Sequence, residues 1–422
     1  MNGTTVTPDI KSIKDFVAFI RKDMKPRGKT PFTLFNIISV PVMLLGIALI
    51  IYRFIKGLAS ITNLSQDFPW GIWIGFDVMT GVAFAGGAYV LCFMVYVLRV
   101  EKYHSIVRAT VLNGFLAYVF YAGALVLDLG RPWNIINPII GNKFGLSSVL
   151  FLVAWHFLLY MIAEFVEISP AFAEWLGFKR VRTILNSLTL GAVIFGITLS
   201  TLHQSGLGAL FLMAKAKIHP LWYSEFIPVL FFVSSIFAGL SMVIFEGSIS
   251  HRVFGDQLDE EHLRSYDNIV IGLGRICAGA MFVYFFLKVL IFIHGKHWLI
   301  LNTPMGYWYL TEVIGLVLIP CFMFLQAVRN RNLTVIRWAS VLTMLGIIIN
   351  RLNISVIAFK WYAPVHYYPA FGEIVTTLTV VFAEIWVFRW IVNRMPILRE
   401  APEWAREEKP EEETGRIIRM AK

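Results

Sequence analysis

Charged residues are scarce in this sequence. Only 15% of the 422 residues are charged, whereas a soluble globular protein carries about 25%. Hydrophobic residues make up 57%. A water-facing surface needs more polar side chains than this. The composition therefore excludes a soluble enzyme, a disordered chain and a nucleic-acid-binding protein as the main interpretation. The net charge of +10 has to be interpreted through its distribution along the chain.

Cysteine is also scarce. The three cysteines, Cys92, Cys277 and Cys321, are isolated in apolar runs, and no Cys-x-x-Cys pair occurs. The chain alone therefore offers no cysteine set for an iron–sulfur cluster or a zinc site. A structural disulfide is not expected either, because each cysteine lies in the middle of an apolar run.

Long apolar runs are what the sequence does contain. The hydrocarbon core of a bilayer is about 30 Å thick and needs roughly 20 apolar residues of helix to cross it. Turn-like strings separate the runs, among them Asp67-Phe68-Pro69 and Ile168-Ser169-Pro170. The sequence predicts an all-α integral membrane protein with ten transmembrane helices. Their predicted ranges are 35–55, 71–98, 109–128, 147–168, 184–206, 226–248, 268–294, 307–327, 338–358 and 371–393.

Lysine and arginine are unevenly distributed over the two sides that these spans define. Of 37 such residues, 25 fall in the two terminal segments and in the loops on the same side; 7 fall on the other side and 5 within spans. An excess of positive side chains marks the cytoplasmic side of a membrane protein. The bias predicts that both termini lie in the cytoplasm and that the number of spans is even.

Two segments flank the predicted membrane domain. Residues 1–34 form a predicted cytoplasmic segment, in which 9–24 place apolar side chains on one helical face and basic side chains opposite. This pattern is typical of an interfacial amphipathic helix on the lipid surface. Residues 35–395 form the ten-helix membrane domain, and 396–422 form a charged cytoplasmic tail.

A weak internal similarity relates the second and sixth spans. Asp67-Phe68-Pro69 precedes the second span and Glu225-Phe226-Ile227-Pro228 precedes the sixth. Phe84-Ala85-Gly86 in one is matched by Phe237-Ala238-Gly239 in the other. If this similarity reflects a repeat, spans 2–5 and spans 6–9 form two four-helix bundles, and spans 1 and 10 are flanking helices.

Four consecutive spans each carry a polar group in the half that is predicted to face away from the cytoplasm. These groups are Asp77 in span 2, Asp128 at the end of span 3, His156 in span 4, and His203 with Gln204 at the end of span 5. Ionisable groups inside a membrane are costly and usually functional. An amphiphile with two carbonyls would need such groups, as would proton exchange with the outer aqueous phase. Structural interpretations remain open, including an ion pair of Asp128 with Arg131 and a backbone hydrogen bond of either histidine.

A second group of ionisable residues extends through the remaining depth of the membrane. Opposite charges lie on different spans, so structural ion pairs are one interpretation. Their graded depths make a proton path the other, and one residue can serve both roles. The group contains Glu164 and Glu167 in span 4, Glu246 in span 6, Arg275 and Lys288 in span 7, Glu312 in span 8, Asn350 and Arg351 in span 9, and Glu373, Glu384 and Arg389 in span 10. The candidate proton path takes from it Glu164, Glu167, Arg275, Lys288, Glu312, Arg351, Glu373 and Glu384.

The same residues bear on two other classes of membrane protein, a haem-binding cytochrome b and a transporter. A b-type haem needs axial ligands at matched depth on facing helices. Only His156 lies well inside a span. Its one candidate partner is His203, and the depths of the two histidines in the membrane differ by several residues. No haem is therefore expected. A non-redox proton or ion transporter stays an alternative, although the abundant glycines of span 2 are ordinary helix packing.

Several strings resemble one known family. They are Pro69-Trp70-Gly71, Asp128-Leu129-Gly130-Arg131-Pro132, His203-Gln204-Ser205-Gly206-Leu207-Gly208 and His219-Pro220-Leu221-Trp222-Tyr223. In these strings the chain resembles the NrfD/PsrC/HybB family of integral membrane quinone-interacting subunits, over residues 35–395. The menaquinone reductase branch is favoured, and hydrogenase and Hmc-type subunits are the alternatives.

The resemblance implies a quinone site near the periplasmic face, with menaquinone as substrate and no haem, iron–sulfur cluster or metal in this chain. It implies that Asp77, Asp128 and His156 are catalytic, and that Asp77, His156, Tyr160, His203 and Gln204 contact the quinone. It also implies a periplasmic iron–sulfur partner and, in the favoured branch, a molybdopterin-family subunit and a multihaem cytochrome c. Proton conduction from the cytoplasm is a further expectation.

Overall fold

Ten long helices dominate the structure, a computed structural model that describes residues 12–25, 32–140, 148–258 and 260–399, with the single positions 145, 402 and 404. Each helix is long and apolar enough to cross a membrane. The predicted all-α class and its ten spans are confirmed. They are α1 (Leu34–Lys56), α2 (Trp73–Val97), α3 (Glu101–Asp128), α4 (Val149–Leu176), α5 (Lys179–Ala214), α6 (Ile227–Val253), α7 (Ser265–His294), α8 (Pro304–Arg329), α9 (Leu333–Ile357) and α10 (Phe371–Val392).

Ten crossings return the chain to the side on which it starts. We call the side that carries residues 12–25 and 394–399 the terminal face, and the other side the opposite face. Which compartment each face meets stays a prediction. Of the predicted end segments, residues 1–11, 26–31 and 405–422 lie outside the described residues.

Helix α4 does not end at the predicted Ile168-Ser169-Pro170 turn. It continues through Pro170 to Leu176 and ends on Gly177, whose φ of 74° lies in the left-handed region. Proline lacks the amide hydrogen that would bond the carbonyl of Val166. The hydroxyl of Ser169 donates to that carbonyl instead, at 2.7 Å. A local side-chain bond thus satisfies the freed carbonyl, and the predicted helix break is wrong.

Helix α2 is the most enclosed of the ten: 89% of its most apolar stretch is buried. It packs against α3, α5, α6 and α9. At the α2–α6 crossing, a Cβ placed on Gly239 would lie 2.0 Å from the backbone nitrogen of Gly87. Gly239 ends one of the two Phe-Ala-Gly strings noted in the sequence, and Gly87 directly follows the other. Both glycines allow the backbones of the two helices to approach closely.

Replacing Gly239 with alanine is expected to destabilise the protein. The new methyl group meets backbone atoms, which cannot rotate away, so α2 and α6 must separate. We expect a loss on the order of 1–3 kcal/mol, measured as a lower midpoint of thermal unfolding in detergent. Gly279→Ala is the matched control, because a Cβ there meets nothing within 4 Å. Equal midpoints for the two variants would contradict the close crossing.

The remaining helices form a continuous set of neighbours. Sequential helices pack against each other from α2 to α9, α2 also packs on α5, α6 also packs on α9, and α10 packs on α1 and α3. The contacts of α2 with both α6 and α9 join the two predicted bundles. The division into two four-helix bundles therefore stays a prediction.

A short helix, Ile13–Asp23, lies at the terminal face. Ser12 caps it by accepting from the amide of Asp15 at 3.1 Å. Ile13 is 83% exposed and Val17 57% exposed, so the apolar face is not covered by the described protein. At its end, Asp23 accepts from Trp175 of α4 at 3.1 Å. The helix is thus anchored to the bundle by one end, as suits an element that lies on a lipid surface.

Four segments of the spans have π-helical turns: Trp73–Val78 and Phe93–Val97 in α2, Thr311–Leu318 in α8 and Asn353–Ile357 in α9. A π turn inserts one extra residue and often occurs at a functional site. Asp77 and Glu312 both lie on such turns. Both carboxylates accept hydrogen bonds from side chains of other segments, Thr377 for Asp77 and Trp222 for Glu312.

Candidate functional site

Asp77 lies in a group of acidic side chains between α2, α3 and α10. It is buried, and its Oδ2 accepts from the hydroxyl of Thr377 at 2.9 Å. Among the described residues, its Oδ1 has no hydrogen-bond partner. Asp128 and Glu384 are both near enough to interact with it electrostatically. We call Asp77, Asp128, Thr377 and Glu384 the acid cluster.

The end of α3 is held by an arginine that the sequence did not suggest. The guanidinium of Arg53, from α1, donates to the carbonyl of Leu127 at 3.0 Å and to that of Leu129. A cation is favourable there because the C-terminus of a helix carries partial negative charge. Asp128 interacts electrostatically with Arg53. No ion pair joins Asp128 to Arg131 within the described chain. The end of α3 is instead held by Arg53 of α1.

His156 and His203 form a second group, between α3, α4 and α5. They are near enough to interact electrostatically. His203 is buried, and its Nδ1 lies 3.3 Å from the carbonyl of Val153. In the described part of the chain, neither Nε2 of His203 nor Nδ1 of His156 has a hydrogen-bond partner, although both atoms are buried. Two imidazole nitrogens thus remain able to bind a ligand.

Aromatic rings surround His203. The ring of Phe157 lies 5.4 Å from it and that of Tyr118 5.8 Å, centre to centre. Tyr160 packs edge-on against Tyr118 at 4.8 Å. We call His156, His203, Tyr118, Phe157 and Tyr160 the histidine cluster. Sequence reasoning missed Tyr118, because a tyrosine in an apolar run gives no separate signal.

Gln204 makes a contact between two helices, unlike its neighbour His203. Its Nε2 donates to the carbonyl of Val82 at 2.7 Å, which joins α5 to α2. That amide is therefore already used as a helix–helix contact. The predicted quinone contact at Gln204 is left with its side-chain oxygen and the second hydrogen of Nε2.

Glu164 and Glu167 lie deeper than the histidine cluster. Glu164 is buried beside Tyr160, and a Cβ on Gly114 would lie 2.6 Å from its Oε1. Gly114 thus makes room for this carboxylate. Within the described residues, neither oxygen of Glu164 has a well-formed hydrogen bond. Glu167 accepts from the thiol of Cys92 at 2.8 Å.

The acid cluster and the histidine cluster both include or contact residues of α3. No hydrogen bond or ion pair joins Asp77 to His156 among the described residues. Tyr118 faces the histidines, whereas Tyr121, one turn further along α3, interacts with Asp77 and Glu384. The two predicted head-group contacts thus have different partners: Thr377 for Asp77 and the aromatic rings around His203 for the histidine pair.

Glu312 is the centre of a third buried network, among α6, α8 and α9. Its Oε2 accepts from Trp222 at 2.6 Å and from Asn353, and its Oε1 accepts from Asn350 at 2.7 Å. Asn350 in turn accepts from Arg351 at 2.8 Å.

The two cations near Glu312 are also enclosed. Arg351 donates to Ser234 at 2.7 Å and lies 3.7 Å above the ring of Phe231. Lys288 is buried beside Tyr309, at 5.5 Å from its ring centre. A carboxylate that accepts three hydrogen bonds is fixed in place. This network therefore favours the structural interpretation over a mobile relay.

Two other predicted proton-path residues lie apart from these groups. Glu373 accepts from the hydroxyl of Tyr367 and from the amides of Asn63 and Ala370, at 3.0 and 2.8 Å. It holds the loop before α2 to the start of α10. Arg275 is exposed on the surface of α7.

The loop that begins at His219 connects the opposite face to the Glu312 network. The amide of His219 donates to the carbonyl of Ala358 at 2.9 Å, and Trp222 bonds Glu312. Burial lowers the pKa of His219 below its usual range, and His297 adds to this effect. A neutral imidazole fits its contacts, because its Nδ1 accepts from the amide of Leu221 at 3.2 Å. The His219-Pro220-Leu221-Trp222-Tyr223 string thus has a structural role: its contacts hold the loop closed against α9 and Glu312.

Comparison with known proteins gives a consistent set of relatives. A family profile described as polysulphide reductase, NrfD, matches residues 60–359. A protein of Nitratidesulfovibrio vulgaris is 44% identical over 379 residues, which cover 89% of this chain and 97% of the relative. The probable Ni/Fe-hydrogenase 2 b-type cytochrome subunit of Escherichia coli is 32% identical over 374 residues, covering 86% and 93%. The integral membrane subunit of menaquinone reductase of Nitratidesulfovibrio vulgaris is 24% identical over 338 residues, covering 72% and 76%.

The name of the Escherichia coli relative makes haem worth testing against this chain. A b-type haem needs axial ligands that face each other across a porphyrin. The rings of Phe157 and Tyr118 pack against His203, at 5.4 and 5.8 Å from its ring, and its Nδ1 lies 3.3 Å from the carbonyl of Val153. The side chains around this histidine pair therefore do not fit a haem.

Proposed function

Because the chain belongs to the NrfD family, we propose that it is the quinone-binding membrane subunit of a respiratory oxidoreductase complex. The substrate is menaquinone, bound near the opposite face, which is the periplasmic face of a bacterial inner membrane. The relatives support the coarser part of this proposal, since one of them is the membrane subunit of a menaquinone reductase. The observation that carries the finer part is the pair of unpartnered imidazole nitrogens among aromatic rings.

The histidine cluster has the chemistry that a quinone head group requires. A quinone carbonyl accepts a hydrogen bond, which His156 can donate. A quinol hydroxyl donates one, which Nε2 of His203 can accept, because the Nδ1–H of His203 donates to the carbonyl of Val153. The flat ring packs well on aromatic side chains. His156 lies about 10 Å from the start of α4 at 1.5 Å per residue, within the half of the membrane near the opposite face. It is only half-buried. A head group can therefore contact His156 and His203 while its isoprenoid tail stays in lipid.

The acid cluster supplies the protons. Reducing a quinone to a quinol takes two electrons and two protons, so the site needs a proton source beside the head group. Asp77 has one unpartnered oxygen, and Asp128 lies at the end of α3, near the opposite face. Asp77 delivers protons past α3 to the head group, and Asp128 exchanges them with the aqueous phase.

The electrons come from a partner protein. The described part of the chain holds no group of three His, Cys, Asp or Glu side chains that could bind a metal ion, and its cysteines are isolated. We assign the electron donor to an iron–sulfur subunit that docks on the opposite face. A molybdopterin-family subunit and a multihaem cytochrome c complete the assembly if the menaquinone reductase branch applies.

A hydrogenase complex is the second candidate. It is favoured by the similarity to the Escherichia coli hydrogenase 2 subunit, which shares more identity with this chain than the menaquinone reductase subunit does. The quinone chemistry at the histidine cluster would then run with a hydrogenase as the electron source.

Purification from the native membrane tests the redox proposal. We expect the chain to elute with an iron–sulfur subunit, and solvent extraction of that complex to yield about one menaquinone per chain. Chromatography of the extract and iron analysis of the complex measure these two properties. A chain that is pure, active in ion transport and free of both quinone and iron would establish the transporter alternative.

A further inference from the structure

An arginine near the terminal-face end of α10 has few partners. Arg389 is half-buried and lies three residues before the end of α10, or about 5 Å from that helix end at 1.5 Å per residue. Its Nη1 donates to the side-chain oxygen of Asn36, on α1, at 3.0 Å. A guanidinium carries five N–H donors. No ion pair among the described residues includes Arg389, so donors remain for a further acceptor.

The buried carboxylates of the terminal face are taken by other arginines. Arg394 donates to three backbone carbonyls and lies 3.7 Å from the carboxylate of Asp23. Glu174 is held by Arg108 at 2.7 Å and by Arg182 at 3.2 Å. Both carboxylates are thus already paired with cations of their own.

Aromatic rings position the guanidinium of Arg389. Its central carbon lies 5.1 Å from the ring centre of Phe35 and 5.4 Å from that of Trp386. The indole N–H of Trp386 donates to the hydroxyl of Ser39 at 3.0 Å, which fixes the tryptophan between α1 and α10. We call Phe35, Asn36, Trp386 and Arg389 the arginine seam. A guanidinium that packs on aromatic rings keeps its planar edge available for two parallel hydrogen bonds to a phosphate.

An exposed apolar surface continues from the seam into the membrane. Ile385 lies four residues before Arg389, and Val40 lies four residues after Asn36, so each shares a helix face with its seam residue one turn deeper. Both side chains are exposed. A cation near the membrane surface above an apolar face suits a phospholipid, whose phosphate lies above its acyl chains.

The charge around the seam selects among phospholipids. Residues 12–25 and 389–399 contain seven basic side chains and two acidic ones. The short helix Ile13–Asp23 is close to the seam, because Phe19 packs on Trp175 at 5.5 Å and Trp175 packs on Trp390 at 6.0 Å. This positive surplus attracts an anionic head group and repels the ammonium group of a zwitterionic one.

We propose that the arginine seam is a binding site for the phosphate of an anionic phospholipid. Arg389 donates to the phosphate oxygens, and an acyl chain lies along Ile385 and Val40. The lipid thereby strengthens the attachment of α1, which needs it because only 11% of its most apolar stretch is buried. The site lies at the face away from the histidine cluster, and it is independent of the proposed quinone chemistry.

The test titrates the full-length chain, freed of native lipid in detergent, with short-chain phosphatidylglycerol or phosphatidylcholine. Native mass spectrometry counts the lipids bound per chain. We expect one phosphatidylglycerol to bind about tenfold more tightly than phosphatidylcholine. Arg389→Gln should lower phosphatidylglycerol affinity about tenfold, because it removes a charge-assisted hydrogen bond. Arg180→Gln, at an exposed arginine of the same face, is the matched control and should bind both lipids as the wild type does.

A second variant guards against a folding defect. Arg389→Lys keeps the charge without the planar fork, so its phosphatidylglycerol affinity should lie between those of the wild type and Arg389→Gln. Inorganic phosphate at the lipid's concentration should not displace it, because free phosphate lacks acyl chains. Equal affinity of the wild type for the two lipids, displacement by that phosphate, or wild-type binding in both Arg389 variants would overturn the site.

Discussion

Replacing His156 with leucine is expected to lower menaquinone reduction about 100-fold while leaving the complex assembled. Its Nδ1 is buried without a partner in the described chain, so the substitution removes a ligand contact and breaks no described hydrogen bond at that atom. Leucine has similar bulk and suits a lipid-facing helix. Removal of one hydrogen-bond donor from a site where charge develops typically costs a factor of 10² to 10³, roughly 3 to 4 kcal/mol. Steady-state quinone reduction and size-exclusion chromatography measure activity and assembly.

The matched control is His104→Leu, because His104 is an exposed histidine at the terminal face. Its turnover should stay at the wild-type level. His203→Leu is expected to resemble His156→Leu, since both imidazoles lie in the histidine cluster. If His156→Leu turned over quinone at the wild-type rate, His156 would have no part in the reaction and the head group would have to bind elsewhere.

Replacing Glu312 with alanine is expected to destabilise the protein by about 3–5 kcal/mol, the usual cost of removing one partner from a buried charged network. Trp222, Asn350 and Asn353 all donate to this carboxylate. Alanine would leave three buried donors without an acceptor, and Arg351 without a nearby anion. We expect a large fall in the thermal midpoint of the detergent-solubilised protein, or failure to accumulate in the membrane.

The conservative variant Glu312→Gln separates structure from proton transfer. Its amide oxygen still accepts from part of the network, so most of the stability should return. Proton uptake in this variant should stay near the wild-type level if Glu312 is structural. Loss of uptake with full stability would return Glu312 to the proton path. An alanine variant as stable as the wild type would show that the network contributes little.

Much of the fold could be predicted because its causes are local. A run of about 20 apolar residues suffices to define a membrane span, and all ten spans are present at nearly the predicted positions. The error at Pro170 had a local cause as well: the hydroxyl of Ser169 replaces the missing amide donor. The short strings that suggested the family were also sufficient to identify it, since the family assignment is confirmed.

Individual residues of the candidate site could be predicted, but the way in which they group together could not. Depth along a helix gave the polar positions near one membrane face, but it could not show which helix each side chain faces. Asp77 proved to bond Thr377 of α10, and His156 to lie near His203. Tyr118, Tyr121 and Arg53 were missed because their significance comes from neighbours that are distant in the chain.

The sequence by itself determined that this is a ten-helix membrane protein of the NrfD family, since hydropathy and short motifs are properties of contiguous residues. Only the tertiary structure decided how the buried charges are grouped. It brought His156 to His203 and Asp77 to Thr377. It enclosed Glu312 among hydrogen-bond donors and placed Glu246 in a cavity at the terminal face. The physical reason is that a charge in a membrane is defined by the partners facing it, and helix packing brings those partners from spans far apart in the sequence.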